Sequence, residues 1–253
     1  MNLDFELNEL GEPIGLPMEA RDTPRLPDRS VVLEGEFCRL EPLDADKHVA
    51  DLFEGYQLDA TGQLWTYIPN GPYSAESELR TWAENAQGKA DPFFYAIIDK
   101  KSNKAVGIAS YLRIDPVNHS IEVGWITYTP LMQRSPLSTE AMYLMMANAF
   151  DMGYRRYEWK CNALNQPSID AAMRLGMSFE GFFRQMAMPK GHNRDTAWFA
   201  IIDKDWSTAK AAFETWLAPE NFDADGNQKQ RLSDLTSSIV YDRWPTLTVR
   251  KTR

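Results

Sequence analysis

The chain has 253 residues, 43% of them hydrophobic and 25% charged, with a formal net charge of −9; this is ordinary globular composition, long enough for one domain with a substantial core plus appendages, and it excludes a fibre or a disordered chain. The negative balance argues against a nucleic-acid partner, which needs a positive field over an extended face, and it would concentrate a cationic substrate. No apolar run approaches the ~18 residues that span a bilayer, residues 1–6 lack the basic and apolar regions of a secretory signal, and Cys38 and Cys161 form no spaced pair, so a cytoplasmic protein without membrane contact is expected.

Residues 1–29 read as an N-terminal extension, acidic and punctuated by Pro13, Pro17, Pro24 and Pro27, an arm over the surface with no sustained periodicity. Residues 31–41 read as a strand with a turn at Gly35, and 44–56 and 74–87 as helices, the second opening with Ser74 ahead of Glu76 and Glu78. Residues 92–99 and 104–114 are strands joined by a turn at Lys101-Ser102-Asn103. An alternating strand follows at 120–129, then a loop at 133–138 and an amphipathic helix that stops at Gly153. A second alternating strand (155–162) leads to Asn165-Gln166-Pro167-Ser168, which opens a helix ending at Gly176. Residues 179–189 and 196–203 read as strands around Gly191-His192-Asn193, and 206–217 as a helix. Residues 218–253 form a polar C-terminal extension, with a helical piece near 230–238 and a basic, aromatic end (Arg243, Trp244, Arg250, Lys251, Arg253).

Strand, anion-receptive helix start, strand, helix is the layout of a phosphate-bearing cofactor site. Ser135 before Pro136 matches an N-cap followed by proline at the first helical position. The N–H groups of Leu137, Ser138 and Thr139 then point out of the helix start, with the positive end of its dipole behind them. Arg134 adds a fork-shaped donor suited to a pyrophosphate. Leu137, Ala141, Leu144, Met145 and Ala149 form the apolar stripe that fixes this helix on the sheet. An ordinary capped helix after a strand would carry the same signals, and the residues alone leave both readings open.

The segments IEVGW (121–125), QRSPLSTEAM (133–142), FDMGYRR (150–156), NQPS (165–168) and LGMSFEGFFR (175–184) give the stretch 37–203 its wider meaning. In their order and spacing it resembles the GNAT superfamily of acyl-CoA-dependent N-acyltransferases, and within it the RimJ/RimL-like branch. The resemblance implies an α/β fold over residues 30–217, a mixed and mostly antiparallel sheet flanked by helices with a splayed central parallel strand pair. It also implies acetyl-CoA (coenzyme A) as cofactor and acetyl transfer to a primary amine, either a protein N-terminus or a small molecule.

Residue by residue, the resemblance carries the phosphate loop onto Gln133, Arg134, Ser135, Leu137, Ser138 and Thr139. Pro136 and Ser138 stand where the family pattern has small residues, and the proline removes one donor. By position, Ile126 and Tyr128 offer backbone groups to the acyl carbonyl and the pantetheine arm, and Asn165 contacts that arm. Glu122 is the candidate base and Ser168 the candidate donor to the leaving thiolate; equally, Glu122 reads as a solvent-facing strand residue and Ser168 as a first-turn serine capped by Asn165. Trp65, Tyr67 and Tyr73 belong to an aromatic loop that borders the acceptor in this branch; alternatively Trp65 and Tyr67 cap the core.

His48, His119 and His192 share no metal-ligand spacing, so no metal is expected. Two other functions stay open: transfer of a longer acyl group such as succinyl, which a basic or enlarged acyl pocket would reveal, and an acyl-CoA-binding scaffold without catalysis. A homodimer, with the basic tail against a symmetry mate, is likewise open.

Overall fold

Short runs of alternating apolar residues build most of this molecule, which the computed structural model describes over residues 4–242; the basic, aromatic end from Arg243 onward lies outside the described residues. In chain order the elements are β1 (Phe5–Leu7), β2 (Pro13–Gly15), β3 (Leu33–Glu34), β4 (Cys38–Pro42), α1 (Ala45–Tyr56), α2 (Glu76–Gln87), β5 (Phe93–Asp99), β6 (Lys104–Asp115), β7 (Ser120–Tyr128), α3 (Pro136–Asp151), β8 (Arg156–Asn162), α4 (Gln166–Arg174), β9 (Ser178–Ala187), β10 (Arg194–Ile202), α5 (Asp203–Leu217) and α6 (Leu232–Leu235). Eight strands form one sheet in the order β3-β4-β5-β6-β7-β8-β10-β9. Every neighbouring pair is antiparallel except β7 and β8, which run parallel. This is the mixed, mostly antiparallel sheet with one parallel pair that the resemblance implied.

The sheet is covered on both faces, so its central strands read as nearly continuous apolar runs. Along β5, Phe93, Tyr95 and Ile97 face the core under α3 and α5, while Phe94, Ala96 and Ile98 face the core under α1 and α2. The helix starts follow local chemistry. Asp44 caps α1 by accepting from the N–H groups of Asp46 and Lys47. The second helix begins two residues later than its sequence signal, because Ser74 stays outside and donates from both its N–H and its hydroxyl to the Glu78 carboxylate.

The N-terminal arm departs from the expected irregular chain by folding 5–15 into the exposed hairpin β1–β2. It is strapped down further along: Arg25 donates to the carbonyls of Asp151 and Met152, and Arg21 pairs with Asp203 at 2.6 Å. At the other end, Leu232 and Ile239 are buried in the same core as α3 and α5. No helix among the described residues is long and apolar enough to cross a membrane.

One buried carboxylate sets the position of α3. Glu140 accepts from the backbone N–H groups of Glu36, Phe37 and Cys38, each at 2.7 Å, so it satisfies the turn between β3 and β4 from within the helix. A side chain at Gly35 would collide with that carboxylate, which fixes glycine at the turn. Because hydrogen bonds to a charged acceptor contribute more than neutral ones and an unmet buried donor is costly, Glu140→Gln should lower unfolding free energy by about 2–3 kcal/mol. Urea denaturation checks this, and an unchanged midpoint would remove Glu140 from that role.

Candidate active site

The parallel ladder between β7 and β8 is short. It runs from Ser120↔Arg156 through Ile121↔Tyr157 and Glu122↔Glu158 to Val123↔Trp159, and there it ends. The cause lies on the other side of β7. Its register with β6 moves from Ser110↔Gly124 to Ile108↔Thr127, which inserts an extra residue into β7, and Trp125 takes the left-handed conformation (φ +51°) at that bulge. A bulge bends its strand and steepens the twist. The Ser110 hydroxyl, fully buried, pins it by donating to the Gly124 carbonyl at 3.1 Å.

Beyond Val123 the strands part around a cleft of about 310 Å³. Residues 122–126 of β7 and 159–162 of β8 all line it. Consecutive strand residues point to opposite faces, so the cleft reaches both sides of the sheet.

On the side of α4 stand Trp159, Cys161, Asn165 and Ser168. Asn165 occupies the N-cap of α4 and accepts from the Ser168 N–H at 3.3 Å. The Trp159 indole donates to the Ser168 hydroxyl oxygen at 3.0 Å, which leaves the hydroxyl proton available to a third group. Burial pushes the Cys161 thiol up to about 11, against a hydrogen bond with Ser168 that works the other way.

On the opposite face Glu122 and Glu158 lie side by side in the parallel register, an arrangement that repels unless something bridges it. Lys160 is the bridge, at 2.7 Å from Glu122 and 2.8 Å from Glu158, with side-chain exposures of 5% for Lys160 and 6% for Glu122. The ammonium also sits 3.5 Å from the centre of the Trp198 ring. Arg113 reaches the same Glu122 oxygen at 3.1 Å. Burial raises the pKa of Glu122, and the two cations only partly reverse it. Burial acts the same way on Glu158, but there hydrogen bonds from Lys160 and Arg156 outweigh it and the pKa ends below the ordinary carboxylate value. Glu122 is therefore a buried member of an ion-pair cluster and not a solvent-facing strand residue.

The sequence reading passed over Lys160 and Glu158, although a signal was present. Arg156, Glu158 and Lys160 alternate with Tyr157, Trp159 and Cys161 on a strand that the topology makes central. Charges at every second position of a central strand need partners or a ligand.

The start of α3 is less open than expected. Ser135 is at the N-cap, but its hydroxyl donates to the Met132 carbonyl at 2.6 Å and caps nothing. The Ser138 N–H turns to the Ser135 carbonyl at 3.2 Å. Thr139 is the fourth helical residue, whose N–H the helix itself takes up, and its buried hydroxyl accepts from Arg174 at 3.0 Å. Of the three donors expected there, Leu137 keeps an N–H without a side-chain cap. Arg134 is exposed beside it, with φ +57°, and Gln133 donates to the Tyr128 carbonyl at 3.0 Å. Ile126 lines the cleft, whereas the Tyr128 ring packs into the core beneath α3.

The aromatic loop divides. Tyr67 lines the cleft and donates to the Leu164 carbonyl at 3.0 Å, bridging to the loop that precedes α4. Trp65 does not line the cleft but borders the wider groove beside it, and its ring is buried in the core under α1 and α2, edge-on to Tyr56 (4.9 Å) and Tyr73 (5.3 Å). Tyr73 sits behind it, bonded to Asn70. Apolar surface large enough to bury was the stronger demand on both rings. Lys190 ties this loop to the β9–β10 connection by donating to the carbonyls of Trp65 and Gly71 at 2.9 and 3.1 Å. A wider groove of about 600 Å³ continues past Tyr67 and Asn162 between these two loops. Among the described residues no group of three or more His, Cys, Asp or Glu side chains could hold a metal ion.

A sheet opened at its one parallel pair has a helix start at one end of the gap and a buried carboxylate on its wall. The acetyltransferase (GNAT) domain model matches residues 38–178, more than half of the chain. The chain belongs to the GNAT acetyltransferase family. A crystal structure of a GCN5-related N-acetyltransferase from Brucella melitensis is 45% identical, with a TM-score of 0.83 over 85% of this chain and 98% of that one. The ribosomal-protein-serine acetyltransferase of Escherichia coli (strain K12) is 26% identical over 56% of this chain and 79% of its own length. The fold is also that of RimL, the ribosomal L7/L12 alpha-N-protein acetyltransferase in complex with coenzyme A, at 21% identity and a TM-score of 0.58 over 68% of this chain and 98% of that one. These likenesses accord with the RimJ/RimL-like branch.

Removing the bridging cation tests the cluster. Lys160→Met leaves two adjacent buried carboxylates without their shared partner and should cost about 3 kcal/mol at pH 7. The bridge acts on ionised carboxylates, so the loss is full above the values that Glu122 and Glu158 take in the variant, where both lack the lowering effect of Lys160, and it shrinks as pH falls below the unfolded carboxylate pKa. Thermal unfolding at about pH 3.5 and pH 7.5, on the two sides of that range, checks the sign, and a loss independent of pH would refute the bridging role.

Proposed function

We propose that the chain transfers an acetyl group from acetyl-CoA to a primary amine by direct attack on the thioester. The observation that carries this reading is a buried carboxylate of raised pKa, Glu122, on the wall of a gap where strand backbone has lost its ladder partner. The fit to the cofactor is supported at two points. The backbone of β7 around Ile126 and Tyr128 lies past the end of the ladder with β8, where an extended pantetheine arm would stand in for the missing strand. At the start of α3, the uncapped Leu137 N–H and the neighbouring Arg134, with Gln133, Ser135 and Ser138 around them, suit a diphosphate. Thr139 holds Arg174 behind that turn. The coenzyme A complex of RimL, which shares this fold, supports the same assignment.

Bound in the cleft, acetyl-CoA supplies the activated acyl carbon. An amine with a pKa near ~10 is mostly protonated at pH 7, and Glu122 takes up its proton, directly or through one water. Burial makes Glu122 the stronger base, and Lys160 and Arg113 work against that rise. Ser168, whose oxygen accepts from Trp159, would donate a hydrogen bond to the departing sulfur while keeping its proton, and Asn165 fixes the first turn of α4 beside it. The name of the Escherichia coli relative and the groove beyond Tyr67 support a protein N-terminus as one class of acceptor.

The test is release of free thiol from acetyl-CoA over a panel of amines. Glu122→Gln keeps the shape and should lower kcat/KM by about 100-fold. The wild-type rate should fall as pH drops through the raised pKa of Glu122, and the variant should lose that limb. Calorimetric binding of acetyl-CoA with no thiol release on any amine would replace this reading with that of a non-catalytic scaffold. Arg134→Ala should weaken that binding by about 10-fold, and unchanged affinity would take Arg134 out of the diphosphate site.

A further inference from the structure

Although the chain carries a net charge of −9, its cleft is lined by three cations, Arg113, Lys160 and Arg194, and one carboxylate, Glu122. Two of the cations are already engaged, since Lys160 lies between Glu122 and Glu158 and Arg113 reaches Glu122. Arg194 is not. It is half-buried at the start of β10, its Nε donates to the Thr196 hydroxyl at 3.1 Å, and no carboxylate lies within ion-pair distance of it among the described residues. None of the other half-buried arginines lines this cleft. Arg156 holds Glu158 at 2.6 Å and Glu180 at 2.5 Å, and Arg174 stacks on Trp216 at 4.8 Å while donating to Thr139.

A guanidinium stays charged when desolvated, and a buried charge without a counter-ion is unfavourable. Its two terminal NH₂ groups match a carboxylate in a planar fork. The register Thr196↔Asn162 and Trp198↔Lys160 sets Arg194, Thr196 and Trp198 along one face of β10, the face that carries Lys160 and, through it, Glu122.

The start of α3 is built from other residues, and Arg194, paired with Ala187 of β9, lines the same cleft as Tyr67 and Met186. We infer that Arg194 binds a carboxylate of the acceptor, so that the preferred substrate is a small amine carrying a carboxylate a few bonds from its nitrogen. The ammonium end meets Glu122 and the carboxylate end meets Arg194, within a cleft of about 310 Å³. This inference rests on the acyl-transfer reading above.

The experiment measures thiol release from acetyl-CoA with α-, β- and γ-amino acids, each beside its own carboxamide. In the wild type kcat/KM should favour the acid of at least one pair by about 10- to 100-fold, as a charge-assisted bidentate contact implies. In Arg194→Gln, verified as folded by circular dichroism, that ratio should collapse toward one through a rise in KM, and Arg194→Lys should recover part of it. Thiol release at equal rates from acid and carboxamide in every pair overturns the inference and leaves the acyltransferase standing. Absence of thiol release from every amine overturns both. A preference of the wild type for succinyl-CoA over acetyl-CoA that Arg194→Gln abolishes would assign the carboxylate to the acyl group and overturn the acceptor assignment.

Discussion

Where Val123 pairs with Trp159 the parallel ladder between β7 and β8 ends, and the backbone beyond it faces a gap. Strand N–H and C=O groups removed from water must find partners, so a sheet does not open at its centre without a reason. Here the reason is steric and local. One extra residue at the Trp125 bulge turns β7 away from β8, the buried Ser110 hydroxyl locks the bulge, and cores on both faces hold the flanking strands in place. The helix start near Leu137, the α4 cap at Asn165 and the wall at Glu122 are all positioned by strands that lead into or out of this opening. A regular strand through residue 125 would zip β7 to β8 and leave these groups with nothing between them.

The charges in the opening follow a single rule: each is placed against a neighbour that restrains it. Glu122 and Glu158 repel across the parallel pair and are held by Lys160, whose ammonium also rests on the Trp198 ring. The same cation affects the two acids differently. Glu158 has Arg156 as well and ends as a firm anion, while Glu122 is pushed up by burial and keeps an affinity for protons. Two chemically identical side chains one strand apart are thereby shifted in opposite directions, and the one whose pKa is raised is the one lining the cleft.

The sequence made the scaffold legible because its signals are local. Alternation in 120–128 and 156–162, Pro136 and Pro167 at helix starts, and glycines after helices each describe a few neighbouring residues, and the structure follows them to within two or three positions. The divergence of the parallel pair came only through the resemblance, since a bulge at a tryptophan has no sequence signature. Side-chain destinations were the least accessible. Trp65 went to the core and Tyr67 to the cleft, although both stand in one loop, because the choice depends on Tyr56 and Tyr73 in three dimensions. The hydroxyl of Ser135, a good cap by type, turned instead to Met132. Lys160 and Arg194 sat in plain view as charges on apolar strands, yet their meaning appears only once β8 and β10 are neighbours.

Because the opening is lined by consecutive residues of both strands, it can be approached from two sides of the sheet. On the proposed reading the thioester and the amine have separate doorways, and neither must leave before the other arrives. Such a site has no use for a stored acyl group on the protein, and its steady-state kinetics should be those of a ternary complex, with initial-rate lines that intersect when one reactant is varied at fixed levels of the other. Cys161, the thiol nearest the reaction, fits that economy: burial holds its proton in place at neutral pH, so it stands as a bystander and not as an acyl carrier.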